Sequence, residues 1–171
     1  MSALLILGIE TSGKTASVAL CDESKVIAQN TIYTKLTHSQ IILPLCKRLL
    51  ADAGTELSQV DRIAVSAGPG SYTGLRIGIA AVKAMGYALN KECAGISSLE
   101  SLAYNAANCG YIICTVMKAR LDLVYTASFT GDEAPSRLTE DRILSESALF
   151  TELSQSVKWV RFTTRATTFL L

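Results

Sequence analysis

The sequence has few of the residues from which metal sites, disulfide scaffolds and nucleic-acid surfaces are built. Its 171 residues carry a formal net charge of +1, which provides no basic stripe for nucleic-acid binding. His38 is the single histidine, so a two-histidine metal site is excluded, and its place in a predicted first helical turn is typical of a surface or interface histidine. The five cysteines are odd in number and never spaced C-x-x-C, which predicts reduced, mostly buried thiols without a zinc or disulfide framework.

Long hydrophobic runs are also missing. The apolar residues 3–9 are too few for a secretory signal and are stopped by Glu10, and no segment approaches the length of a membrane span. Hydrophobic residues nevertheless make up 49% of the chain, enough for a real core in one ordinary domain or two small lobes. We therefore expect a cytoplasmic protein that has no contact with a membrane.

The hydrophobic pattern predicts an alternation of strands and helices. Three strands at residues 4–9, 16–21 and 26–31 precede a helix over 37–53, which Thr37 and Gln40 open as a capping box. A strand over 62–67, a helix over 72–89, a strand over 92–96 and a helix opened by Ser97 follow. Residues 112–116 and 123–129 then predict a fresh strand pair, so we expect a domain boundary between residues 100 and 110.

The segment S-A-G-P-G-S-Y-T-G-L-R-I-G at residues 66–78 is the most informative stretch. Gly68, Pro69 and Gly70 predict a tight turn, and Ser71 stands where a helix N-cap belongs. Gly74 lies on the helix face that also carries Gly78, where a neighbouring backbone can come close. The same pattern is typical of a strand–turn–helix joint in any α/β domain.

The helix over residues 72–89 is apolar or small nearly all round, which indicates burial on two sides. The helix over residues 37–53 has a similarly broad apolar face. The two helices either bury these faces against another subunit or simply cover each other and the sheet. Arg76 lies near a helix N-terminus, where the macrodipole disfavours a cation, so it either finds a carboxylate in the fold or across an interface, or is solvated.

The segment from Gly8 to Thr15 matches the P-loop pattern G-x-x-x-x-G-K-[ST]. A genuine P-loop requires a helix that starts at Lys14, and residues 16–21 instead favour a strand. No later strand ends in an aspartate that could serve as the second magnesium-binding residue. The alternative is a strand–turn–strand hairpin with its turn at residues 11–13.

Four segments resemble the TsaB (YeaZ) family: I-L-G-I-E-T-S, T-H-S-Q-I-I-L-P-L, A-G-P-G-S-Y-T-G-L-R-I-G and G-I-S-S-L-E-S-L-A. The resemblance covers about residues 4 to 130. It implies an α/β fold of the actin-like ATPase (ASKHA) type, in which each lobe has a β-β-β-α-β-α core. On this basis residues 1–105 form the first lobe, with the dimerisation helices, and residues 106–171 form a second, abbreviated lobe.

The resemblance also implies a role without catalysis. Family members are accessory subunits for threonylcarbamoyladenosine synthesis, in which the related subunit TsaD transfers the group to the tRNA adenosine beside the anticodon, and the ATPase TsaE is a third component. TsaD uses a metal held by histidines, and the accessory subunit lacks that site. We therefore expect no catalytic residues, no metal and no cofactor of its own; ATP or ADP would bind only at an interface with the partner. The protein would meet tRNA only through the complex and form a homodimer when alone.

Family members pair through their first two helices, in a four-helix bundle with TsaD or with a second copy. Carried over to this sequence, the interface comprises His38, Ile41, Ile42 and Leu45 on the first helix and Tyr72, Leu75, Arg76 and Ile79 on the second. The structural motif that supports it comprises Gly68, Pro69, Gly70, Ser71 and Gly74.

Three positions depart from the family pattern. Glu10 stands where an aspartate is usual, Lys118 replaces the carboxylate of a segment usually written L-D-A-R, and the Thr- and Arg-rich residues 157–171 suggest a shortened second lobe. Because Lys118 and its neighbours supply no carboxylate, binding of magnesium and phosphates there is disfavoured. The alternative function is an autonomous P-loop-like or ASKHA ATPase that uses the segment from Gly8 to Thr15. A protease is disfavoured because no nucleophile–base pair is visible.

Overall fold

The structure, a computed structural model, describes residues 4–33, 36–155 and 160–163, the last four by their backbone. The described residues belong to two compact units; the first runs through Ile96 and the second begins at Ser97.

The first unit is a five-stranded sheet with helices packed on it. Along the chain the elements are β1 (Ile6–Glu10), β2 (Thr15–Cys21), β3 (Val26–Tyr33), α1 (His38–Asp52), a 3-10 turn (Leu57–Gln59), β4 (Arg62–Gly68), α2 (Tyr72–Leu89) and β5 (Glu92–Ser97). The sheet order is β3-β2-β1-β4-β5, in which β2 pairs antiparallel with β1 and β3, and β4 pairs parallel with β1. This is the predicted β-β-β-α-β-α-β order.

Local sequence signals explain the element ends of this unit. Between β2 and β3, the Asp22 carboxylate accepts from the backbone N–H groups of Ser24 (2.7 Å) and Lys25 (2.9 Å), which closes the hairpin. At the start of α1, Gln40 Oε1 accepts from the backbone N–H of Thr37 at 3.1 Å, as a capping box requires. The predicted turn and helix start are confirmed.

One core lies between the sheet and the two helices. Alternate residues of the strands meet the apolar stripes of α1 and α2, because side chains on one face of a strand recur every second residue. Its fully buried members include Leu7, Ile9, Val18, Leu20, Ile42, Leu49, Val60, Ile63 and Val82.

The second unit contains α3 (Ser98–Tyr104), β6 (Ile112–Lys118), β7 (Leu123–Phe129), β8 (Arg142–Ser145), α4 (Glu146–Ser154) and β9 (Val160–Thr163), with sheet order β8-β7-β6-β9. The family resemblance predicts a boundary between residues 105 and 106. The units divide earlier because α3 packs on β6 and β7, where Leu99 and Leu102 join Ile113 and Phe129 in a separate buried cluster.

Two short strands, β8 and β9, were missed in the sequence. β8 has only four residues and lies at an edge of its sheet, so it leaves no long hydrophobic pattern. Most of the segment 157–171, on which the expectation of a shortened lobe rests, lies outside the described residues. Among the helices of the described ranges, none is long and apolar enough to cross a bilayer.

Candidate interaction face

The junction between β4 and α2 positions the second helix. Gly68 has φ +118°, a conformation that side chains rarely adopt, so glycine is required there. Ser71 caps the helix, since its Oγ accepts from the backbone N–H of Gly74 at 3.3 Å. The predicted turn and N-cap are confirmed.

The turn between β1 and β2 packs directly against the first two turns of α2. A Cβ added to Gly74 would lie 2.0 Å from the backbone oxygen of Thr11, and one added to Gly70 would lie 2.6 Å from Ser12 Cβ. Two hydrogen bonds join the same parts: Thr11 Oγ1 donates to Gly74 O at 2.8 Å, and the Ser71 N–H donates to Ser12 O at 2.7 Å. The glycines therefore allow a backbone approach that locks α2 onto the sheet.

The carboxylate of Glu10 is buried at the end of β1. It accepts from the backbone N–H of Ser12 and from the hydroxyl of Ser66 at the end of β4. Since a buried carboxylate must be hydrogen-bonded, these donors explain how Glu10 is tolerated. Through these hydrogen bonds Glu10 connects the neighbouring strands β1 and β4.

The P-loop interpretation of the segment from Gly8 to Thr15 is wrong. Lys14 is exposed and is followed by β2, which pairs antiparallel with β1 from Ser17 opposite Glu10. A P-loop needs a helix at this point, because its backbone N–H groups and the helix N-terminus bind the phosphates. The alternative hairpin, with its turn at residues 11–13, is confirmed.

The residues predicted for an interface on α1 occupy different environments. Ile41, Ile42 and Leu45 are 9%, 1% and 5% exposed and belong to the core, because the apolar stripe of α1 faces the sheet and α2. They offer almost no surface to a partner. His38 is half-buried, at 3.4 Å from the point where a Gly74 Cβ would lie.

On α2 the predicted residues lie closer to solvent. Tyr72 is 74% exposed and Arg76 is exposed, with its guanidinium carbon 5.5 Å from the centre of the Tyr72 ring. Leu75 and Ile79 are half-buried; Leu75 Cδ1 would lie 3.3 Å from a Cβ added to Gly68.

Five exposed residues of α2 and the half-buried Ile79 form one stripe, which we call the α2 outer face. They are spaced 4, 7, 8, 11 and 15 residues after Tyr72, which places them on one side of a helix. The face comprises Tyr72, Arg76, Ile79, Ala80, Lys83 and Tyr87. Lys83 and Tyr87, which is 93% exposed, were not predicted, although their spacing from Tyr72 and Arg76 could have identified them.

Leu43 and Pro44 are exposed on α1, opposite its core stripe, and Leu43 is 52% exposed. They too were missed, because the predicted interface lies on the apolar stripe that the fold itself buries. Pro44 lies inside the continuous helix and has no N–H to donate to the carbonyl four residues before it.

The described residues include no group of three or more His, Cys, Asp or Glu side chains that could hold a metal ion. Burial raises the pKa of the Cys46 thiol to about 12, and burial together with the nearby Asp22 raises that of Cys21 to about 11. Both therefore stay protonated near neutral pH and are poor nucleophiles.

The sequence is similar to a known protein family and to named proteins. The family model described as TsaD, tRNA N6-adenosine threonylcarbamoyltransferase, matches residues 25–147. The chain is 37% identical over 126 residues to the tRNA threonylcarbamoyladenosine biosynthesis protein TsaB of Bacillus subtilis, an alignment that covers 74% of this chain and 55% of that protein. The chain thus spans little more than half the length of this relative.

Solved structures agree with the sequence comparison. YeaZ from Pseudomonas aeruginosa superimposes with a TM-score of 0.76 at 30% identity, over 83% of this chain and 68% of YeaZ. Component A of the (R)-2-hydroxyglutaryl-CoA dehydratase of Acidaminococcus fermentans matches with a TM-score of 0.52 at 10% identity, over 84% of this chain and 48% of that one. The latter likeness concerns the fold alone, and together the two confirm the predicted actin-like ATPase fold.

Proposed function

Because the chain belongs to the TsaB (YeaZ) family, whose members are named for tRNA threonylcarbamoyladenosine biosynthesis, we propose that it is a non-catalytic subunit of the machinery for that modification. In this proposal it holds a TsaD-like threonylcarbamoyltransferase in a productive state, with a TsaE-like ATPase as a third component. The chain makes no covalent change itself and meets tRNA only through the assembly. A cytoplasmic location belongs to the same proposal.

The α2 outer face is the observation that carries this proposal. Two tyrosines that are 74% and 93% exposed lie on one side of α2, together with the exposed residues Arg76, Ala80 and Lys83. Exposed aromatic side chains on a rigid helix are typical of protein interfaces, since they bury a large area at a low cost in entropy. The contacts of Thr11 and Ser12 with the start of α2, on the side of the helix opposite this face, hold the helix in position.

The interface that we propose differs in part from the one predicted in the sequence. We propose that Tyr72, Arg76 and Ile79 contact the partner, and that Leu43 of α1 extends the surface. Ile41, Ile42 and Leu45 support the helices from inside. The expected homodimer would use the same face in the absence of the transferase.

Nucleotide enters the proposal only as a ligand shared with the partner. Both oxygens of the Glu10 carboxylate already accept hydrogen bonds, and Lys118 pairs with Glu146 at 3.7 Å, so neither position supplies a free carboxylate for magnesium. The hypothesis of an autonomous ATPase depended on a phosphate-binding loop followed by a helix at Lys14. The chain forms a β-hairpin at this point instead, so that hypothesis loses its support.

Ala80→Arg tests the pairing. Ala80 is exposed, so the arginine leaves the fold intact and places a long charged side chain at the centre of the face. We expect this variant to lose copurification with the TsaD-type transferase of the same organism, and reconstituted reactions to form less threonylcarbamoyladenosine in tRNA. The matched control is Ala134→Arg, at an exposed loop residue of the second unit. Unchanged binding and modification with Ala80→Arg would reject the proposed face.

A further inference from the structure

We propose that the free edge of β3 pairs with β3 of a second copy of this chain, as antiparallel strands related by a two-fold axis at Asn30. This edge is separate from the α2 outer face, because β3 ends the five-stranded sheet on one side whereas α2 packs on β4 and β1. The inference therefore goes beyond the proposed function and does not depend on it.

β3 is an edge strand without charge. Its eight residues, V-I-A-Q-N-T-I-Y, include no charged residue, no proline and no glycine. The other three edge strands of the described sheets each contain a charge: Glu92 in β5, Arg142 in β8 and Arg161 in β9. Since charges and prolines are common means by which an edge avoids pairing with another chain, β3 has the composition of a strand that accepts one.

The apolar side chains of β3 are accessible at this edge. Tyr33 is 75% exposed and Ile32 is 37% exposed. The pairing of β3 with β2 shifts near Ile27 and is regular from Ala28 to the end of the strand. A regular strand with a free edge and exposed apolar side chains is typical of a site that adds a further strand.

The two faces of β3 restrict how a second copy can pair. The even-numbered residues from Ala28 to Ile32 lie on the core side of the sheet, because they are opposite buried core residues of β2. The odd-numbered residues from Gln29 to Tyr33 lie on the other side. A two-fold axis perpendicular to the sheet keeps the two sides apart, so even-numbered residues must oppose even-numbered ones.

An axis at Asn30 meets this restriction within the regular part of the strand. It places Ala28 of one copy opposite Ile32 of the other, and Gln29 opposite Thr31. All of these residues are uncharged, so no like charges oppose the pair, and the exposed Ile32 becomes covered on the core side. An axis at Thr31 would also use regular residues.

The amide of Asn30 selects between these two axes. Asn30 is half-buried, and its amide nitrogen is buried without a hydrogen-bond partner among the described residues. A buried amide donor needs an acceptor. With the axis at Asn30, this residue faces itself across the pair with Cβ atoms about 5 Å apart, and each amide offers a donor and an acceptor to the other. A second copy thus supplies the group that the single chain lacks.

Sedimentation of the Ala80→Arg variant tests the pairing, because this substitution blocks the α2 outer face. We expect dimers that form as concentration rises and grow no further, since each copy has one β3 edge. Adding Thr31→Lys should weaken the pairing about tenfold or more, because a charge is placed in the edge strand. The matched control adds Ala94→Lys, at an exposed residue of β5 on the opposite edge, and should change pairing less than about twofold.

A charge exchange tests the position of the axis. With the axis at Asn30, Gln29→Glu added to Thr31→Lys places each lysine opposite a glutamate of the other copy. Pairing should then return to within about twofold of the chain without these two substitutions. An axis at Thr31 would instead place lysine opposite lysine, and the second substitution would restore nothing. Circular dichroism verifies the fold, and Gln29→Lys with Thr31→Glu replaces the exchange variant if that variant does not fold.

Three results would overturn the inference. They are an Ala80→Arg chain that stays single at every concentration, a Thr31→Lys chain that pairs as well as the Ala94→Lys control, and a charge exchange that restores no pairing. A chain that stays single but loses the transferase on Thr31→Lys would identify the transferase as the occupant of the edge and also overturn it. The proposed function is judged separately, from copurification of Ala80→Arg with the transferase.

Discussion

Replacing Gly74 by alanine tests how α2 is held against the turn between β1 and β2. The added Cβ would lie 2.0 Å from the backbone oxygen of Thr11, whereas a relaxed contact between carbon and oxygen is about 3.3 Å. The helix or the turn must therefore move by more than an ångström. Because the opposing atom belongs to the backbone, a change of side-chain rotamer cannot relieve the overlap.

The magnitude follows from two opposing terms. Overpacking of a rigid site costs about 3 kcal/mol at the upper end of its usual range, and alanine gains about 1 kcal/mol over glycine in a helix. We expect Gly74→Ala to reduce the free energy of unfolding by about 2 kcal/mol. The displaced helix should also bind the transferase less tightly, since the α2 outer face moves with it.

Urea unfolding followed by far-ultraviolet circular dichroism provides the measurement. Gly13→Ala is the control, because Gly13 lies in the same turn and an added Cβ there meets nothing within 4 Å. Its stability should stay within about 0.5 kcal/mol of wild type. A Gly74→Ala variant as stable as the wild-type protein would refute the packing argument.

Two further predictions concern buried polar groups. Ser66→Ala removes the hydroxyl that donates to the Glu10 carboxylate and should reduce the free energy of unfolding, measured in urea, by about 1–3 kcal/mol. An unchanged unfolding midpoint would contradict the proposed connection of β1 and β4 through Glu10. With a thiol reagent at pH 8, exposed Cys93 should react first, whereas Cys21 and Cys46 should react only on unfolding, because burial raises their pKa values to about 11 and 12. Since the folded-state pKa values exceed those of unfolded cysteine, the stability that these thiols contribute is present below about pH 8.5 and is lost as pH rises towards 11 or 12. Equal labelling of all three in the native protein would exclude this burial.

Local signals explain why much of the first unit could be predicted. Thr37 with Gln40 and Ser71 with Gly74 are caps that act over three residues, and the polar residues after Cys21 close a hairpin through contacts at similar range. Hydrophobic alternation identified the strands around them. Such features depend on neighbours along the chain and are therefore visible in the sequence.

Long-range contacts decided what the sequence left open. The apolar stripe of Ile41, Ile42 and Leu45 is the same in sequence whether it faces a core or a partner, and the packing of α1 on the sheet and α2 places these side chains in the core. The P-loop pattern matched in its letters although the residues after it favour a strand, and the pairing of β2 with β1 excluded it. The boundary lies after Ile96 because the apolar side chains of α3 pack in the core of the second unit.

By itself the sequence determined the element order of the first unit, the glycine-containing turn before α2, the helix caps and, through its motifs, the family, because each depends on residue type at short spacing. The tertiary structure alone decided which face of each helix stays exposed. It also set Glu10 beside Ser66 across two strands. Exposure is a property of what the rest of the chain covers, and a sequence pattern records only that a face is apolar.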